Sequence, residues 1–459
     1  KRHAHPIQSE EHGDSGVYPA MISICFMRFD PSLKKSILAI VLVSGVFIRA
    51  IFLIKYARVP VDLKFVADPY AYLMMAQRAY HGHLFVGFRG FHTSYLSVGY
   101  PAIIALAQRI TFGLMSTWIT ALMLNLLSYI LTSLGIFRIV QVFARRTSAP
   151  AHAITTAGIV ATVVLAVYPD FVFATGLVMT ELVAVTFLVW GIVFLADLME
   201  VGYTHAKVAG AGLCFGLTVF VRPSILLIVV LAPCVLLLRR QWPSAAVLFA
   251  VAILPVIPLW VNNSRVGTGP GITSATWMNV CDGLVKSDGT FQWRPECRKP
   301  LANGEEPTPL TESINTRHAK NLAMKEIAAH PSAWISRMPL RVYHSLWSGG
   351  WATQVSVKWG QNYRWTERID LFLLVSRRFF QILAGIAFVQ IFRMTRRRVI
   401  VWWPTAVVFI GTFAGIPISF GQARFGWPLA VIVLVPFASL GSTDFILRQR
   451  NGRYVFSGK

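Results

Sequence analysis

Charge is scarce in this 459-residue chain, and negative charge is scarcest. Charged residues make up 14% of it, and Asp and Glu together number 20. A soluble domain carries roughly 25% charged residues, so the composition excludes a large water-soluble enzyme. A disordered chain is excluded from the other side, because hydrophobic residues reach 55%. Cysteine is rare as well: five residues are too few for a disulfide framework. Nucleotide-sugar signatures are also missing. Asp62 and Asp68 stand too far apart for an Asp-x-Asp pair, and the stretch 267–271 (GTGPG) neither follows a strand nor opens a helix.

What the chain has is basic charge and long apolar runs. Lys and Arg number 43, for a formal net charge of +23. In a soluble protein that balance would point to nucleic acid. Here the aromatics lie inside apolar runs and not among the basic clusters, so no nucleic-acid partner is expected. The basic residues suit cytoplasmic loops and anionic headgroups, and the lipid bilayer is the expected surrounding. Runs of spanning length occupy 36–54, 118–143, 152–168, 174–196, 207–221, 224–238, 244–261, 371–392, 399–419 and 425–446. An all-α membrane protein with about ten transmembrane helices is expected, at ~20 residues per span. Residues 98–113 form a further apolar stretch of ambiguous length. A signal peptide is not expected, since no convincing cleavage site accompanies the first apolar run.

Orientation follows from Lys and Arg in the short turns. One side collects Arg28, Lys34, Lys35, Arg145, Arg146, Lys207, Arg239, Arg240, Arg393, Arg396, Arg397, Arg398, Arg448, Arg450 and Arg453. The opposite short turns hold only single arginines, Arg222 and Arg424. The expected organisation is a cytoplasmic tail (1–35), a membrane core (36–261) with an outer loop at 55–117, an extracytoplasmic loop domain (262–370), C-terminal membrane helices (371–446) and a cytoplasmic tail (447–459). Within the outer domain Cys281 and Cys297 stand near each other. In an oxidising compartment they are either a disulfide or two separate thiols.

The first outer loop carries the densest chemistry. Ala67-Asp68-Pro69 reads as a helix start, with Asp68 as cap and Pro69 in the first turn. Tyr72, Met75, Ala76 and Ala79 then recur at helical spacing until Gly82. This helix is too short to span and is expected to lie along the interface. A second short apolar segment, from Gly99-Tyr100-Pro101 to Gly113, completes an interfacial platform. Beside Lys64 and Arg78, the Asp68 carboxylate can serve as a cap, a general base, or both. Glu181 falls inside an expected span, where a carboxylate must be paired or functional. Pairing with an arginine such as Arg222 is one reading, and sugar binding is the other. His83 and His92 are candidate orienting groups or ordinary loop histidines, and without a credible ligand spacing no metal site is assigned.

Several motifs, taken in order, resemble the GT-C membrane glycosyltransferases. This superfamily includes the protein O-mannosyltransferases and the lipid A aminoarabinose transferases. The motifs are Asp68-Pro69-Tyr70-x-Tyr72, Gly99-Tyr100-Pro101, Tyr168-Pro169 with Thr180-Glu181, Val221-Arg222-Pro223 after Gly210, Gly212 and Gly216, the run 260–267 (WVNNSRVG), His330-Pro331, and Arg424-Phe425-Gly426-Trp427-Pro428. Two departures stand out: Asn and Arg are reordered in 260–267, and Pro69 replaces the second member of an acidic pair beside Asp68.

The resemblance implies transfer of a sugar from a polyprenyl-phosphate donor to a glycan, lipid or protein acceptor on the extracytoplasmic face. The lipid-linked sugar would be a co-substrate, and a divalent metal is left open. Asp68 would be the base of an inverting displacement. Arg222 and Arg424, and less strongly Arg265 and Lys64, would hold the leaving phosphate, for which the arginine fork is well suited. Glu181, Asp170, Tyr72 and His92 are candidates for sugar or acceptor. The Ala, Val and Arg richness points to a bacterial inner membrane. The competing classes are a transporter or flippase, which should show paired halves, and a polysaccharide polymerase or ligase.

Overall fold

The computed structural model describes residues 31–56, 67–87, 90–146, 151–269, 271–284, 295–297, 309–341 and 366–396. The expected spans 399–419 and 425–446 therefore lie outside the described residues. Among the described residues the regular structure is helical, with one isolated β-bridge between Val86 and His92. The helices are α1 (Pro31–Tyr56), α2 (Ala67–Tyr80), α3 (Gly99–Ile110), α4 (Thr117–Arg146), α5 (Ala151–Val167), α6 (Pro169–Thr175), α7 (Thr180–Val201) and α8 (His205–Val221). After a 3-10 turn at Pro223–Ile225 come α9 (Leu227–Leu237), α10 (Trp242–Ile253), α11 (Ile257–Val266), α12 (Ala275–Asp282), α13 (Pro309–Ala329), α14 (Pro331–Ser336) and α15 (Thr366–Arg396).

Three of these helices, α1, α4 and α7, are long and apolar enough to cross a membrane, or up to five spans if each bent pair counts as one. The pairs are α5 with α6, bent by 61°, and α10 with α11, bent by 46°. Proline causes both breaks. Pro169 lacks an N–H and opens α6, and Pro255 lies in the gap between α10 and α11. A separate interruption, between α6 and α7, corrects the expectation for Glu181. The apolar run 174–196 does not form one helix, because α6 ends at Thr175 and α7 starts at Thr180. Glu181 accordingly sits in the first turn of α7, at a helix start and not in the interior of the expected span. The ambiguous stretch 98–113 contains α3, whose 12 residues extend about 18 Å and fall short of the ~30 Å hydrocarbon layer.

α7 packs between α4 and α8, α8 packs on α10, and α5 bridges α1 and α4. The close approach of α8 and α10 depends on Gly212 and Gly216. A Cβ on Gly216 would meet the Ala252 carbonyl oxygen at 2.4 Å, and one on Gly212 the Leu248 carbonyl oxygen at 2.6 Å. Such small-residue spacing lets membrane helices come together. Hydrogen bonds mark the α4–α7 seam: the Thr132 and Thr186 hydroxyls lie 2.9 Å apart, and Trp190 Nε1 donates to the Leu131 carbonyl at 3.1 Å. Arg49, fully buried in α1, reaches the end of α5. It donates to the Leu165 and Ala166 carbonyls at 2.9 and 3.0 Å, carbonyls left without helical partners there.

Candidate functional site

Two short helices and three helix ends converge on one buried polar cluster. α2 and α3 pack against each other, and Tyr72 meets Tyr100 edge-on with ring centroids 5.9 Å apart. Tyr100 is fully buried, and its hydroxyl donates to Asn125 Oδ1 of α4 at 3.1 Å. Burial pushes this phenol above its ordinary pKa, the hydrogen bond to Asn125 opposes the shift, and the Glu181 carboxylate adds to it. Tyr100 therefore remains a protonated donor. Asn125 in turn donates to the Leu177 and Thr175 carbonyls at 2.7 and 3.2 Å, which anchors the α6–α7 turn.

That turn delivers Thr180 and Glu181 to the end of α8. Arg222 caps α8, with Pro223 following, and its Nη1 lies 2.6 Å from Glu181 Oε1 and 3.3 Å from Thr180 Oγ1. Both members of the ion pair are buried. The backbone just before Arg222 is held against α3: Ser97 Oγ donates to the Phe220 carbonyl at 2.6 Å, and a Cβ on Gly99 would meet that same oxygen at 2.2 Å.

Asp68 stands one turn before Tyr72, half-buried in the first turn of α2. The helix begins at Ala67, so Asp68 lies inside the first turn and is not the cap residue expected from the sequence. Asp170 is buried in the first turn of α6. Tyr72 is buried against Tyr100, which makes it a support within the cluster. The His92 and Arg265 side chains are exposed. Lys64 and Arg424 lie outside the described residues. Among the described residues no three His, Cys, Asp or Glu side chains form a group that could hold a metal ion.

A second polar centre was not anticipated. Glu312, buried in the first turn of α13, accepts hydrogen bonds from Thr93 Oγ1 (2.6 Å), Ser94 N and Oγ (both 2.8 Å) and Ser274 Oγ (2.7 Å). It joins the first outer loop to the α12–α13 unit, where Cys281 and Cys297 form a disulfide with Cα atoms 5.9 Å apart. Asn125 was also missed, although a lone amide within an apolar run is itself a signal in a membrane helix. No comparable signal marks Glu312, which stands in a polar stretch of sequence.

No protein-family model and no curated protein matches the chain. Solved structures do. The Archaeoglobus fulgidus oligosaccharyltransferase in its apo form matches with 15% identity and a TM-score of 0.52, over 93% of this chain and 52% of that one. The same enzyme tethered to an acceptor peptide containing the NVT sequon matches with 14% identity and a TM-score of 0.52, over 93% and 51%. ArnT from Cupriavidus metallidurans matches with 13% identity over 90% of this chain and 78% of that one, but its TM-score of 0.36 is too low to establish a common fold. The chain spans about half the length of the archaeal structures. Its fold is that of the archaeal oligosaccharyltransferase. At this level of identity the likeness extends to the fold alone.

Proposed function

We propose that this protein is a membrane-embedded glycosyltransferase that moves a sugar from a polyprenyl-phosphate donor to an acceptor at the extracytoplasmic surface of a bacterial inner membrane. The observation that carries the reading is the buried Arg222–Glu181 pair beside the α2–α3 platform. Glu181 fixes the guanidinium plane, and a guanidinium offers five N–H donors in a rigid fork. Arg222 is thus held ready for a phosphate at the end of a helix, where the membrane core meets the platform that carries Asp68.

In the proposed reaction the acceptor hydroxyl oxygen attacks the anomeric carbon. The bond from that carbon to the phosphate oxygen breaks, and the electron pair leaves with the phosphate. Asp68 takes the hydroxyl proton. Attack opposite the leaving group inverts the anomeric centre. Arg222 stabilises the charge that develops on the phosphate, and a preorganised donor of this kind acts without reorganising as the bond breaks. Arg424, Lys64 and Arg265 are proposed as further cationic contacts. Asp170 and His92 are proposed contacts for sugar or acceptor, with Tyr72 and Tyr100 supporting the floor of the site. The lipid carrier accounts for the membrane location, because its tail needs an apolar groove while sugar and phosphate remain at the headgroup level.

The test is transfer by the purified protein in proteoliposomes, offered a panel of radiolabelled polyprenyl-phosphate monosaccharides, with products identified by mass. A glycosylated product that disappears in both Asp68→Asn and Arg222→Ala supports the reading. A product formed at the native rate by both variants would overturn it.

A further inference from the structure

The Glu312 centre and the Arg222 pair are joined by one short stretch of chain. Glu312 Oε1 holds Ser94 through both its amide and its hydroxyl, and Oε2 holds Thr93. Further bonds fix the same residues. Asn262 Nδ2 donates to the Thr93 carbonyl at 2.9 Å, and Thr273 Oγ1 and Ser274 N donate to the Ser94 carbonyl at 2.9 and 3.2 Å. Three residues on, Ser97 grips the Phe220 carbonyl, and Gly99 lies against the Phe220–Val221 backbone. Arg222 is the next residue, and its amide closes onto the Thr218 carbonyl at 2.8 Å. The links are stiff ones. The glycine contact leaves no room for a side chain, and the carboxylate bonds are charge-assisted and short.

Glu312 is a poor choice for mere adhesion. Its partners among the described residues are three hydroxyls and one amide, with no cation among them. A buried carboxylate held by neutral donors needs every one of them in place, which makes the arrangement specific in register. We propose that Glu312 is a positioning residue for Arg222: by locking Thr93 and Ser94 to the α12–α13 unit it sets the register of segment 93–99, and through Ser97 and Gly99 the placement of the α8 end that carries Arg222. The outer unit thereby bears on phosphate binding without touching the phosphate. The inference rests on the phosphate role given to Arg222 above.

Two measurements on the full-length protein in detergent test it. One is hydrogen exchange at the amides of 93–99 and 218–222. The other is the affinity for farnesyl phosphate, a short polyprenyl phosphate used as the probe. Glu312→Ala should speed exchange in both segments and weaken probe binding on the order of 10–100-fold, the scale of losing one hydrogen bond to a charged group. Glu312→Gln keeps the shape and two hydrogen-bonding atoms, and should stay near the native values. Ser97→Ala cuts the middle link, so it should loosen 218–222 while 93–95 stays protected, and it serves where Glu312→Ala fails to fold. Unchanged exchange at 218–222 in Ser97→Ala and in any folded Glu312→Ala protein would overturn the coupling. So would native probe affinity in those variants if Arg222→Ala weakens binding. If Arg222→Ala itself binds the probe normally, the phosphate role has failed, and exchange alone then decides whether the two centres are coupled.

Discussion

Arg222 Nη1 meets Glu181 Oε1 at 2.6 Å, where the end of α8 reaches the start of α7. Each charge sits at the helix end whose dipole favours it: the cation at a C-terminus and the carboxylate at an N-terminus. Thr180, also within reach of Arg222, accepts a second contact at 3.3 Å. A buried pair with this support is expensive to break and well placed to hold one geometry.

Removing one partner should therefore be worse than removing both. Glu181→Leu leaves a buried guanidinium uncompensated and should cost about 3–5 kcal/mol, whereas the double variant Glu181→Leu with Arg222→Met should recover much of that loss. Thermal unfolding of the purified variants checks the order. Arg222→Lys keeps the charge but loses the planar fork. It should fold with near-native stability and lose turnover, and Arg222→Ala should lose more, on the order of 10²–10³-fold. Full activity in the lysine variant would reduce Arg222 to a point charge.

Asp68→Asn should abolish transfer while leaving the fold intact. The amide is nearly isosteric and tolerates a helix start, but it cannot take the acceptor proton. General-base catalysis is worth about 10²–10⁴-fold, so turnover should fall by that much. The measurement is kcat normalised to folded protein. Native turnover would leave Asp68 as a favourable charge in the first turn of α2 and nothing more.

Gly99→Ala places a methyl group where the Phe220 carbonyl oxygen already lies, 2.2 Å from the new carbon. The neighbour is backbone and cannot swing aside. The end of α8 must shift, and Arg222 with it. Transfer should fall by at least tenfold, whereas Gly385→Ala in α15, whose Cβ would meet nothing within 4 Å, should leave it near the native rate. Comparable activity in the two variants would show that the α3–α8 contact does not govern the site.

The orientation is tested with thiol reagents. In a variant lacking Cys25, Cys214 and Cys234, Glu326→Cys on the exposed face of α13 should react with an impermeant maleimide in intact cells. Arg396→Cys, at the end of α15, should react only after the membrane is opened. The expectation rests on the excess of Lys and Arg on the cytoplasmic side. Labelling of Arg396→Cys alone in intact cells would invert the topology and put Asp68 on the cytoplasmic face.

The sequence by itself determined that the chain is helical and apolar, where α1, α4 and α8 lie, and that Asp68, Tyr72, Glu181 and Arg222 deserved notice. Those features are local: an apolar run reads the same in any surroundings, and a carboxylate or guanidinium beside such a run is costly wherever it packs. Gly99, Tyr100 and Pro101 were legible as a motif, but not the reason for Gly99, because the Phe220 carbonyl it meets lies far along the chain. The break between α6 and α7 was hidden for a related reason. Residues 174–196 read as one largely apolar run, and the Asn125 bonds to Thr175 and Leu177 come from a distant helix to hold the turn there. Tertiary structure alone decided that Glu181 faces Arg222, that His92 and Arg265 stay exposed, and that Glu312 ties the outer unit to the first loop. Each of those outcomes depends on which buried donor or charge arrives opposite which partner, and that pairing is set by how the helices cross.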